Sequence, residues 1–255
     1  MRTPMRNAAV AATAVSLALL VSACGGEKAD AGKGGTTVKE TPGATATSAP
    51  AAKALSAAEL DKLIVTQADL KGHKVQKAGA ADVVPAAQVS ADKADCTPIA
   101  HAMSFVSPGA PAASVQRKVL AEPKKDASAS PEEAILGGLG VQVTAVTLGS
   151  YEGQGAQDAF ASVKTAATAC AGGFSVVHGK EKTKISKVAP DSVTAGDESV
   201  ALTVTTDMEG APFVSKLVVF RKGNTLASFS SISLAPGGVK EAPKAVVDAQ
   251  AAKLG

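Results

Sequence analysis

The chemistry open to this chain is confined to few side chains. Of its 255 residues three are Cys (Cys24, Cys96, Cys170), three are His (His73, His101, His178) and none is Trp. A catalytic nucleophile needs a base within reach and donors for an oxyanion. No Gly-x-Ser-x-Gly occurs. Ser90-Ala91-Asp92-Lys93 sets an amine three residues beyond a hydroxyl, as in penicillin-recognising enzymes, but the partner Ser-Asp-Asn and Lys-Thr-Gly motifs are missing. The stretch reads as an Ala-rich loop. Gly137-Gly138-Leu139-Gly140 lacks the Lys-Ser/Thr and the following helix that a phosphate cradle requires. Glu132-Glu133 and Asp197-Glu198 are adjacent acids whose side chains diverge in an extended chain, so they read as solvated turns. One constellation stands out: His178, Lys180, Lys182 and Lys184 alternate through a predicted strand over 174–187. Period two would put all four on one face, as a basic stripe for an anionic ligand or lipid headgroups, or more plainly as a solvated face guarded by Lys. No catalytic residue, cofactor or metal site is expected.

The first thiol has a different kind of context. Arg2 and Arg6 precede an uncharged apolar run, Ala8 to Val21, that leads into Val21-Ser22-Ala23-Cys24-Gly25-Gly26. At ~1.5 Å rise per residue that run falls well short of a ~30 Å hydrocarbon core, so it reads as a signal-peptide core and not a span. The branched residue, two small residues and Cys resemble a bacterial lipobox. Residues 1–23 are then a lipoprotein signal peptide without a twin-Arg pair, and Cys24 is the lipidated N-terminus. Two acyl chains hold a protein stably where one is marginal. The expected location is the outer face of the cell membrane, held there by covalent lipid. No other apolar run reaches spanning length.

Composition narrows the rest. The net charge is +3. Removing residues 1–23 takes away two Arg and no acid, so 24 basic and 23 acidic residues remain, a net charge of +1. Such a balance, with a single Tyr and no Trp, excludes an electrostatic or stacking nucleic-acid binder. Residues 24–52 are rich in Gly, Ala, Thr and Pro and cannot bury enough apolar surface to order themselves, which predicts a flexible tether. Residues 53–255 form one domain, long enough to bury a core unaided. With Cys24 assigned to lipid, Cys96 and Cys170 are an even pair in an oxidising compartment and read as a disulfide. A metal site or a nucleophile fits less well, because no Cys-x-x-Cys spacing is present.

The elements that must position these residues follow from period and punctuation. Ser56 and Glu59 form a capping box, with Leu55 and Leu60 as its hydrophobic staple, for a helix ending near Val65. Lys71-Gly72 turns into an extended stretch, His73 to Lys77. A helix after Cys96 carries Pro98 in its first turn, turns Ile99, Met103 and Val106 inward and stops at Pro108-Gly109. Val115, Arg117 and Val119 alternate with polar residues as a half-buried strand, and residues 121–133 read as an exposed loop. Val141 to Leu148 is a further strand. Residues 156–171 form a helix with Phe160, Val163, Ala167 and Cys170 inward, stopped at Gly172-Gly173. Strands follow at 174–187, 199–206, 214–221 and 225–234, with a hairpin at Lys222-Gly223-Asn224. A last helix spans about 242–253. Strands that succeed one another directly imply an α+β fold, a mainly antiparallel sheet packed with about four helices.

In this order the chain resembles a known family. The Ala-Asp-Leu-Lys-Gly segment at 68–72, Asp95-Cys96 before a helix, Tyr151 and Phe160 around a Gly- and Ala-rich helix start, Cys170 at that helix's end and Phe220-Arg221-Lys222-Gly223-Asn224 carry the likeness. It resembles actinobacterial lipoproteins related to the PknH-type extracellular sensor domain, over roughly residues 53–255. The resemblance implies an α+β sandwich with a cleft for an extracellular ligand. Two departures stand beside it: the family has two disulfides where one pair exists here, and its Trp before the later Cys is absent from Thr168-Ala169-Cys170. The expectation is a lipid-anchored, non-enzymatic binding or sensor-like protein with a small-molecule or envelope-protein partner. Its rivals are a protein-docking lipoprotein without a small-molecule site and a carrier of a hydrophobic ligand.

Overall fold

The structure, a computed structural model, describes residues 53–122 and 140–255. Cys24, the signal peptide, the tether to residue 52, the Glu132–Glu133 pair, and most of the 121–133 loop and of the 137–140 glycine run lie outside the described residues.

Four α-helices and nine strands are present among the described residues: α1 (Ala57–Leu63), β1 (His73–Lys77), β2 (Val89–Ala91), α2 (Thr97–Met103), β3 (Ala113–Ala121), β4 (Val143–Ser150), α3 (Gly155–Ala169), β5 (Phe174–His178), β6 (Glu181–Asp191), β7 (Glu198–Met208), β8 (Ala211–Lys222), β9 (Thr225–Ile232) and α4 (Lys244–Leu254). The fold is α+β. All strands join one antiparallel sheet in the order β1-β3-β4-β9-β8-β7-β6-β5-β2.

The capping box forms as its residues dictate: Ser56 Oγ accepts the Glu59 N–H at 3.3 Å, and Glu59 Oε2 accepts the Ser56 N–H at 2.8 Å. The helix ends at Leu63, two residues before the expected point, because a buried amide takes over its orphan groups. Gln250 of α4 accepts the Val65 N–H at 2.9 Å and donates to the Leu63 carbonyl at 2.8 Å. At the C-terminal end of α3, Gly173 adopts φ +91°, and a Cβ there would collide with the Ile185 carbonyl. That position admits only glycine.

Helices cover both faces of the sheet. Alternation along each strand sends one residue set to each side. Leu60 of α1 and Ile64 just past its end, with Val246 and Val247 of α4, pack on Val146, Leu148, Val218, Phe220 and Phe229. On the other face Ile99 of α2, with Phe160 and Val163 of α3, meets Ile185, Leu202, Val204, Leu217 and Val219. Cys96 and Cys170 are joined there, sealing the start of α2 to the end of α3, and both are buried.

One connection shapes the sheet. The link over residues 78–88 runs from edge strand β1 to the opposite edge strand β2. A flat sheet of this strand count would be about 38 Å wide at ~4.8 Å per strand. Twelve backbone steps reach about 40 Å only when fully extended. This link instead folds into a turn, Asp82 N–H to the Gly79 carbonyl at 2.9 Å, and a 3-10 turn over Ala86–Gln88. The sheet must therefore curl, and the link crosses as a strap over the face that carries α2 and α3, where Val84 packs.

Two expectations are corrected here. The stretch expected as one strand over 174–187 is a hairpin, β5 and β6, turning at Gly179–Lys180 with Gly179 at φ +58°. And α2 stops at Met103, not at Pro108-Gly109, because Ser104 and Phe105 leave the helix and Phe105 takes φ +63°.

Candidate functional site

The curl leaves a cavity of about 370 Å³ on the α2/α3 face. Its floor is built from two cross-strand rows, Lys118–Ala145–Ser230 and the neighbouring Val143–Ile232 pair of β4 and β9. Met103, Ser104 and Phe105 close one end, where α2 terminates. Asp82 and Val84 of the strap also line it, and His178 enters from the end of β5. Six elements, the strap, the end of α2, β3, β4, β5 and β9, thus converge, and the lining is mainly apolar with a few polar groups.

The charged members neutralise each other. Lys118 Nζ lies 2.5 Å from Asp82 Oδ1, while Asp82 Oδ2 accepts the Gly79 N–H at 2.9 Å. The Lys118 ammonium, and next the Gly79 amide, hold the Asp82 carboxyl below the usual carboxylate range. This pair also pins the strap to the sheet. His178 has a buried Nε2 without a hydrogen-bond partner among the described residues.

Phe105 is the strained member. It occupies the left-handed position just past the α2 cap, where the Val106 N–H reaches back to the His101 carbonyl at 3.1 Å. Glycine is the usual residue of such a helix terminus. A bulky side chain there costs about 1–2 kcal/mol. Phe105 is only 8% exposed and lies outside the two main apolar clusters of the faces.

The predicted basic stripe does not exist as one face. A two-residue turn puts His178 opposite Glu181, so residues 182 and 184 pair with Val177 and Ser175 and point away from His178. Lys180 sits in the turn itself. Lys184 pairs with Asp207 at 3.1 Å beside Lys182, at a second concavity of about 550 Å³ between β6 and the end of β7. Of the four, only His178 reaches the cavity.

The other candidates resolve into structural roles. Lys93 Nζ donates to the Gly173 carbonyl at 2.7 Å, and Asp92 accepts the Ser175 N–H at 2.8 Å, so both side chains tie the β2 end to the start of β5. Asp197 and Glu198 both grip Arg221, at 3.1 and 2.7 Å, and brace the β8–β9 hairpin. Among the described residues no cluster of His, Cys, Asp or Glu could hold a metal ion.

Sequence reasoning missed Asp82, Phe105, Lys118 and Ser230. One signal was available: β9 carries Ser228, Ser230 and Ser231 in mid-sheet, where a strand covered on both faces normally reads as a continuous apolar run.

No family model matches the chain, and no curated protein matches its sequence. Among solved structures it is similar to the extracellular domain of PknH from Mycobacterium tuberculosis. That superposition has 12% identity and a TM-score of 0.47, and it covers 79% of this chain and 97% of that one. The relationship is a weak one of fold.

Proposed function

We propose that this chain is a lipid-anchored extracytoplasmic binding protein, not an enzyme, whose domain takes a small molecule in the cavity beneath the strap. The observation that carries the reading is the cavity itself: a concave, mostly apolar space with a few convergent polar groups is the usual form of a ligand site. The lipobox-like Val21-Ser22-Ala23-Cys24 and a buried disulfide support the compartment. The domain's first described residues lie beside the β8–β9 turn, where Asn224 Nδ2 donates to the Lys53 carbonyl at 2.6 Å. Ser230 is about 20 Å further along β9 at ~3.3 Å per residue, so the tether leaves from the end remote from the cavity. An anchored domain would thereby keep its site clear of the bilayer.

A second reading, docking of an envelope protein, is favoured by Ile232 and Leu234, which are 43% and 71% exposed at the cavity's end of β9. Two measurements decide. Detergent-phase partitioning should be lost in Cys24→Ala, and equal partitioning would reject the anchor. Native mass spectrometry of protein from its source cells should show a bound small molecule that Ala145→Leu excludes. A domain that is empty with and without the substitution would favour docking.

A further inference from the structure

Within that reading of the cavity as a binding site, we propose the class of its ligand: a compact, uncharged, largely apolar molecule with one hydrogen-bonding end, such as a medium-chain alcohol or primary amide. The charge balance of the lining is the first argument. Its Lys and its Asp, Lys118 and Asp82, are already in contact at 2.5 Å, and Asp82 is further committed to the Gly79 amide. An anionic ligand that accepts from Lys118 meets the Asp82 carboxylate beside it, and a cationic one that donates to Asp82 meets the Lys118 ammonium. Either way the like charge of the pair repels the ligand, so most of the attraction is lost. A hydroxyl or amide avoids that loss. It can accept from an ammonium proton that Lys118 does not spend on Asp82 and donate to a carboxylate lone pair, so the ion pair stays intact.

The second argument is Phe105. Its left-handed backbone is unfavourable for a bulky residue, and the residue lines the cavity. The strain is explained if the ring serves as the apolar wall against which the ligand body lies. Size sets the third limit. A cavity of about 370 Å³ holds the volume of roughly a dozen waters at ~30 Å³ each, which suits a ligand of about that many non-hydrogen atoms.

The test is calorimetric titration of the full processed chain at pH 7 with octan-1-ol, octanoate and octylamine, which share one chain length and differ in charge. Octan-1-ol should bind at a single saturable site at least ~10-fold more tightly than either ion. Ala145→Leu, which fills the floor, should abolish this binding. Phe105→Ala should weaken it several-fold, and Ser230→Val serves as a second floor variant should Ala145→Leu fail to fold. Equal or tighter binding of octanoate or octylamine, still abolished by the floor variant, would overturn the ligand class and leave the binding function standing. Absence of binding by all three would also overturn the class, while the mass-spectrometric measurement on the native protein separately decides whether the cavity binds at all.

Discussion

Strands β3, β4 and β9 carry the row Arg117–Val146–Phe229 on one face and, one pleat along, the row Lys118–Ala145–Ser230 on the other. The first row lies under α1 and α4. There Phe229 stacks on Phe220 with ring centroids 5.7 Å apart, and the buried Arg117 guanidinium meets Asp61 at 2.6 Å. Among the described residues the second row lies beneath the end of α2, a helix of seven residues, the strap and His178. Large side chains from both layers fill the first face. Ala and Ser on the sheet, beneath a short helix, leave the second face with unfilled volume. The contrast teaches that a sheet packed on both faces can still keep local room on one of them, where its strands carry Ala and Ser.

The comparison can be broken most sharply on the filled side. Phe229→Ala should cost about 3–5 kcal/mol in chemical denaturation, because the fully buried ring leaves a cavity that the stacked Phe220 cannot close. A loss below ~1 kcal/mol would show that this face is not tightly packed. Next in size is the Cys96–Cys170 bridge, which closes 74 residues on the cavity face. Replacing both Cys with Ala should cost about 2–4 kcal/mol, read as a lower melting temperature. An unchanged melting temperature would mean that α2 and α3 hold on the sheet without the bond.

A smaller effect sharpens the description of the filled side at its seam with α4. Lys253, then Thr66, hydrogen-bond Asp69 and lower its carboxyl to about 2, below the ordinary value of 3.8. A depressed folded-state value stabilises wherever the unfolded carboxyl is ionised. The contribution is therefore full above about pH 4 and disappears as the pH falls towards 2, amounting to on the order of 1–2 kcal/mol. Asp69→Asn should remove that part of the acid sensitivity in a pH series of melts, and an unaltered profile would assign it elsewhere. Smallest of all should be Ala145→Leu on the cavity side, which is expected to change stability by less than ~1 kcal/mol because the added carbons enter empty space. A large loss would mean the floor is already packed.

Much of the frame was legible in local pattern. Ser56 and Glu59 announced α1, Lys222-Gly223-Asn224 announced the β8–β9 hairpin, and the Phe160 and Val163 spacing announced α3. Cysteine parity pointed to the bridge that the structure contains. The short edge strand β2 escaped notice, because three residues of Val89-Ser90-Ala91 carry too little alternation to register. The Lys stripe failed for a definite reason. Period two holds only within a strand, and the turn at Gly179–Lys180 resets the parity between His178 and Lys182. The end of α2 was misplaced because Phe105 takes a conformation that its residue type disfavours and that only its surroundings can impose.

Periodicity, caps and turn residues are local quantities, so the sequence by itself determined which segments become helices and strands and which side chains turn inward. The strand order, the curl imposed by the strap from β1 to β2, and the meeting of Lys118, Asp82, Phe105 and His178 around one space were decided by the tertiary structure. Those features depend on pairings between distant segments, whose energies come from the packing of the whole sheet and leave no local trace in the order of residues.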